Sequence, residues 1–131
     1  MSSRAVADTS VFIARETGRP LSPYAEKDRE IGVSIITIAE LELGVLAAAA
    51  PSIRAARLQA LRAAEQLNAL PVDRAVASAF AALAAEMSAA GHGTLGVQDA
   101  WIAATAIAYD ADLLTQDADF DAVPGLRVIK L

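Results

Sequence analysis

The sequence contains no cysteine, so disulfide bridges and thiolate metal sites are excluded, which fits a reducing compartment. It holds a single histidine, His92, inside the glycine-flanked stretch "AGHGT". Chemistry built on a histidine base or on several histidine ligands is therefore not expected, and His92 reads as a loop residue. Apolar runs stop well short of the roughly 20 residues that a membrane-spanning helix needs. The N-terminal "MSSRAVADTS" lacks an apolar signal region, so the expectation is a cytoplasmic chain with no membrane association. Positive charge is also missing from most of the second half. From Ala75 to Leu126 there is no Lys or Arg, and residues 75–131 carry two basic and seven acidic side chains. Residues 1–74 carry nine of each. Taken alone, that balance argues against nucleic-acid binding by simple neutralisation of phosphates.

What is present in quantity is alanine, 32 of 131 residues, within a composition that is 55% hydrophobic. Alanine is the best helix former, so helix should dominate. The length favours one domain over residues 1–131 and suffices for a core without covalent staples.

Short apolar segments alternate with helical patterns along the chain. Arg4–Ala7 reads as a strand, followed by the capping cluster Asp8-Thr9-Ser10 and a helix over Val11–Glu16. Residues 21–30 read as a loop or short helix, and Ile31–Ile36 as a β-branched strand. Thr37-Ile-Ala-Glu40 has the spacing of a capping box opening a helix to about Ala49, and Pro51 starts another to about Asn68. "LPV" at 70–72 reads as extended, and Asp73 as the cap of a helix over Arg74–Ala90 whose Val76, Phe80, Leu83 and Met87 share one face. Asp99 precedes or opens a helix over 100–109, with strands at Ala111–Thr115 and Leu126–Leu131. Strands separated by helices imply an α/β fold with a mostly parallel sheet of four to five short strands flanked by helices.

Four acids stand out by position. Asp8 follows the first strand, Glu40 lies in the first turn after the second, Asp99 begins a helix, and Asp117 follows the next strand. Each alone has an ordinary reading as a cap or turn residue, favoured by the helix dipole. In parallel sheets, however, ligands bind beyond the carboxyl ends of the strands, where these acids would gather. Carboxylates brought together repel and, when desolvated, rise in pKa. Such a cluster needs a neutralising partner, for which Mg²⁺ or Mn²⁺ is the obvious candidate.

The stretches "VADTSVFIA" at 6–14, "TIAELELG" at 37–44, "QDAWIAATA" at 98–106 and "LLTQDADF" at 113–120 carry a resemblance. In order and spacing they resemble the four acidic motifs of PIN-domain ribonucleases, and more narrowly the VapC toxins of VapBC toxin–antitoxin pairs. The resemblance implies a single PIN-like α/β domain and a Mg²⁺- or Mn²⁺-dependent endoribonuclease, with transfer RNA the favoured substrate class. It implies that Asp8, Glu40, Asp99 and Asp117 form the catalytic, metal-binding quartet. Asp8 and Asp99 would bind the metal directly, Asp117 directly or through water, and Glu40 would complete the cluster and orient the attacking water. Ser10, Thr115 and Asp119 match supporting positions. Arg15, Arg19, Arg54, Arg57 and Arg62 could contact the RNA backbone. The resemblance further implies a VapB-type antitoxin, whose tail would pack against the apolar helices around Leu41–Leu46 and Ile53–Leu67, and a homodimer.

Rival readings fit less well. An Asp-nucleophile phosphatase acting through Asp8 wants a second Asp two positions on, where Ser10 stands, and a nearby Lys, of which the chain has only Lys27 and Lys130. A calcium loop starting at Asp117 would need Gly and Glu where Ala122 and Val128 stand. A catalytically inactive PIN-like module that only binds a partner is the remaining alternative.

Overall fold

The computed structural model describes residues 3–18, 29–91 and 95–131. His92, Arg19, Lys27 and most of the 21–30 stretch lie outside them. Strand β1 spans Arg4–Ala7, and Ala5, Val6 and Ala7 are all buried, as expected of a short central strand covered on both faces. Asp8 ends it and caps α1 (Thr9–Glu16), its carboxylate accepting the Ser10 N–H at 3.3 Å.

The next boundary differs from expectation. β2 spans Glu30–Ser34 and α2 spans Ile35–Ala47, so Ile35 and Ile36 are helical. The Ser34 hydroxyl accepts the Ile36 N–H at 3.1 Å and starts the helix before Thr37 can. The β preference of two isoleucines is outweighed by a cap. Thr37 and Glu40 therefore form no capping box, and Glu40 sits in the second turn, not the first.

Pro51 occupies the first turn of α3 (Pro51–Glu65), as its missing N–H allows. β3 is Asn68–Leu70 and stops before Pro71, which has no N–H to give a ladder, so the extended piece lies earlier than "LPV". Asp73 caps α4 (Arg74–Ala89) by accepting the Val76 N–H at 3.0 Å. α5 (Val97–Ala108) starts three residues earlier than its apolar pattern suggests, which puts Asp99 inside the first turn. It ends with Asp110 at φ 51 and with Asp110 N–H donating to Ile107 O at 3.1 Å and Ala111 N–H to Ala106 O at 2.9 Å, the paired bonds of a left-handed helix stop. β4 (Asp112–Thr115), a short 3-10 turn at Ala118–Phe120 and β5 (Val128–Lys130) complete the order.

All strands pair in parallel, in the order β3-β2-β1-β4-β5. Ala5, Ala7, Val33 and Leu114 face a layer that includes Phe12, Leu41, Leu61 and Ala64 from α1, α2 and α3. Val6 and Leu113 face the other way, against Leu83, Met87, Ile102 and Ala106 of α4 and α5. The two-residue period of the strands thus feeds two helical layers. On α4, Phe80 stacks on Trp101 of α5 with ring centroids 3.8 Å apart. No helix among the described residues is long and apolar enough to cross a membrane.

Candidate acidic site at the switch of strand order

The strand order reverses between β1 and β4, and open α/β sheets leave a crevice at the carboxyl edge of such a pair. Asp8 leaves β1 there, and Asp117 follows β4. α5 runs back against the strands, so its first turn, with Asp99, reaches the same edge. Glu40 arrives from α2. The structure brings together all four acids predicted from the sequence, and Asp119 with them.

Asp99, Asp117 and Asp119 form the tightest group, each offering a carboxylate oxygen within 4.8 Å of the others. Asp8 and Glu40 lie outside that trio but close enough to act on it. The carboxyl of half-buried Asp99 is pushed up to about 6 from 3.8, first by burial and then by the charges of Asp8, Asp117, Glu40 and Asp119. Among the described residues, no cation pairs with any of the five. The ion pairs lie elsewhere, Arg29 and Arg127 on Asp112, Arg127 on Asp110, and Lys130 on Asp121. A set of carboxylate oxygens without a cation suits a hard divalent ion with oxygen ligands.

Hydroxyls fix the acids in place. The Thr115 hydroxyl donates to Asp8 Oδ2 at 2.8 Å and accepts the Asp117 N–H at 2.9 Å, linking the two acids through one buried atom. Ser10 Oγ lies 3.1 Å from it and accepts the Gln116 N–H at 3.0 Å. The Asp119 N–H donates to Asp117 Oδ1 at 2.9 Å. Ser10, Thr115 and Asp119 thus all meet the cluster. Sequence reasoning missed Thr9 and took Thr37 only for a cap. The Thr9 hydroxyl donates to Glu40 Oε1 at 2.8 Å and lies 3.1 Å from Thr37 Oγ1. The signal was there in two threonines beside two motif acids, but which hydroxyl meets which acid depends on how α1 and α2 pack.

A groove of about 440 Å³ runs from Thr9 and Glu40 past Ile13, Leu41 and Gly44 to Arg57. Leu43, Leu46 and Ile53 are large exposed apolar side chains on the same two helices, α2 and α3. Several basic residues considered for RNA are engaged within the helical layer. Arg57 and Arg54 donate to the carbonyls of Gly44 and Ala48, both at 2.8 Å, closing the end of α2, and the Arg15 guanidinium lies 5.9 Å over the Phe12 ring.

A family model described as the PIN domain matches residues 5–126. Ribonuclease VapC4 of Mycobacterium tuberculosis is 43% identical over 128 residues, 98% of this chain and 97% of that protein. Ribonuclease VapC5 of the same organism is 40% identical over 126 residues, 96% and 92% of the two chains. The crystal structure of a member of the VapBC toxin–antitoxin family, VapBC-5 from Mycobacterium tuberculosis, superposes with a TM-score of 0.89 at 36% identity, covering 99% of this chain and all of the other. With a family model over nearly its whole length and relatives that align from end to end, this chain belongs to the PIN-domain family, in its VapC group.

Proposed function

We propose that the chain is a single PIN domain that hydrolyses RNA phosphodiester bonds as a Mg²⁺- or Mn²⁺-dependent endoribonuclease toxin. The observation that carries this is the convergence of five carboxylates, with no paired cation among the described residues, at the crevice where the strand order reverses. The ribonuclease names of the VapC relatives support the same reading.

Asp99, Asp117 and Asp119 would supply the close oxygen donors for the ion, with Asp8 and Glu40 closing the set. A divalent ion held there would supply Lewis-acid chemistry, activating water and offsetting the charge that develops on the phosphodiester. The chain's own residues do the rest. Thr115 holds Asp8 and the backbone of Asp117 in one geometry, so both acids are positioned before RNA arrives. Glu40, held by the Thr9 hydroxyl, would orient the attacking water. Transfer RNA is the substrate class that the VapC resemblance favours.

A VapB-type antitoxin is the proposed partner. The solved VapBC-5 structure supports it, as do the exposed Leu43, Leu46 and Ile53 on α2 and α3, the helices that carry Glu40 and Arg57 of the groove. A homodimer is proposed as well, with exposed Ile35, Val72 and Val97 offering apolar contact.

The test is RNA cleavage by purified protein with Mg²⁺ or Mn²⁺, followed by mapping of RNA 5′ ends after brief expression. Asp8→Asn and Asp99→Asn are expected to abolish cleavage and growth inhibition with the fold retained. Full cleavage by a clean Asp99→Asn preparation would overturn the assignment. A wild-type chain that binds an antitoxin but cuts no RNA would establish an inactive binding module instead.

A further inference from the structure

We propose that Thr9 is a positioning residue that fixes the carboxylate of Glu40; the inference rests on Glu40 belonging to the proposed ribonuclease site. Thr9 is the first residue of α1 and directly follows Asp8. Its Oγ1 lies 2.8 Å from Glu40 Oε1 and 3.1 Å from Thr37 Oγ1. A hydroxyl has one proton, and a carboxylate can only accept. The shorter, charge-assisted contact takes the Thr9 proton, and Thr37 Oγ1, 3.1 Å away, is a second acceptor facing the same hydroxyl. Thr37 is fully buried, and no buried polar side-chain atom is left without a partner among the described residues. The oxygen that Thr9 meets beside Glu40 is therefore fixed inside the protein.

Thr37 and Glu40 are three residues apart on α2, so they share a face. Thr9 reaches that face from α1. The three side chains thus tie the first turn of one helix to the second turn of another, at the edge where the acids meet. A glutamate side chain otherwise has several rotatable bonds to disperse its charge. Held through Oε1, it keeps Oε2 without a hydrogen-bond partner among the described residues, beside the cluster whose Asp99 its charge already raises.

Thr9→Val keeps the volume and branching and removes the donor, whereas Thr9→Ser keeps the donor. Thr9→Val is expected to lower kcat for RNA cleavage by about 10- to 100-fold, the usual effect of losing a group that orients a ligand, with KM little changed. Thr9→Ser is expected to restore most of the loss. Combining Thr9→Val with Glu40→Gln is expected to add nothing to Glu40→Gln alone, because the two act as one unit. Crystal structures of the metal-free wild type and Thr9→Val give a readout independent of activity, in which Glu40 is expected to leave its position only in the variant. Wild-type cleavage by Thr9→Val, or an unmoved Glu40 in its crystals, overturns the proposal. If the wild type cuts no RNA, the ribonuclease reading fails by itself, and the position of Glu40 in the two crystals still decides the role of Thr9.

Discussion

The two edges of the sheet treat buried negative charge in opposite ways. At the amino edge, Asp112 opens β4 and is fully buried, yet it is held by Arg29 and Arg127, both at 2.7 Å. The Arg29 side chain is itself only 5% exposed, and Arg127 reaches on to the carboxylate of Asp110 at 3.1 Å, steadying the left-handed residue that ends α5. At the carboxyl edge five acids converge, and no described cation answers them. One end of β4 carries a closed ion-pair network and the other an open charge. A closed network uses its charge to hold strands together. An open one stores repulsion that a ligand can relieve.

The largest expected effect comes from opening the closed edge. Removing one partner of a buried pair leaves the other unpaired, which costs about 3–5 kcal/mol. Asp112→Ala and Arg29→Ala are each expected to lower the melting temperature by roughly 10–20 °C, read by thermal unfolding. A shift below about 3 °C would show that the network is held more loosely than its 2.7 Å contacts indicate.

Next comes closing the open edge. Mg²⁺ or Mn²⁺ at a hundredfold excess over its Kd is expected to stabilise the protein by about 2.7 kcal/mol by mass action. The gain should shrink in Asp117→Asn and in Asp119→Asn, and it should be unchanged in Arg127→Ala. Equal metal-induced shifts in wild type and Asp117→Asn would separate the ion from this cluster.

A smaller effect follows from the raised Asp99. Its folded pKa of about 6 exceeds the ordinary 3.8, so the penalty for its charge is absent below about pH 4, grows between pH 4 and 6, and is complete above. In metal-free protein at pH 7.5, Asp99→Asn is expected to raise stability by about 1 kcal/mol, after allowing for solvent screening of a half-buried group. At pH 4 the variant and the wild type should melt together. Cleavage and stability would then move in opposite directions in one substitution, as expected of strain kept for function. A lower melting temperature for Asp99→Asn at pH 7.5 would contradict the repulsion.

The smallest effect is a control. Lys130 and Asp121 form an exposed pair at 3.0 Å, worth about 0.2–1 kcal/mol at most. Asp121→Ala should change neither stability nor metal response appreciably, separating this acid from its neighbours Asp117 and Asp119. A large loss in either would move Asp121 into the site.

Much of this was readable in the residues because the signals are local. β1 falls where its apolar run does, Asp73 caps α4, Pro51 opens α3, and the parallel sheet follows from alternating strands and helices. Asp8, Asp99 and Asp117 were legible because each follows a strand or opens a helix, and Glu40 lies only one turn further along α2, so topology gathers them. What escaped depends on packing between distant segments. The start of α2 was misplaced because Ser34 makes a better cap than two isoleucines make a strand. Asp112 gave no signal, since an Asp before "LLT" looks like any strand edge until Arg29 and Arg127 close on it. The hydroxyl of Thr9 meets Glu40 across 31 positions, a relation that no short window contains.

The hydrogen bond from Thr115 to Asp8 spans 107 positions of the chain. Because β1 is completed by β4, the first acid must wait for nearly all the rest of the protein to be made. A nascent or truncated chain ending before α5 holds Asp8 and Glu40 but neither Asp99 nor Asp117. The parallel order of the sheet therefore acts as a clock during synthesis.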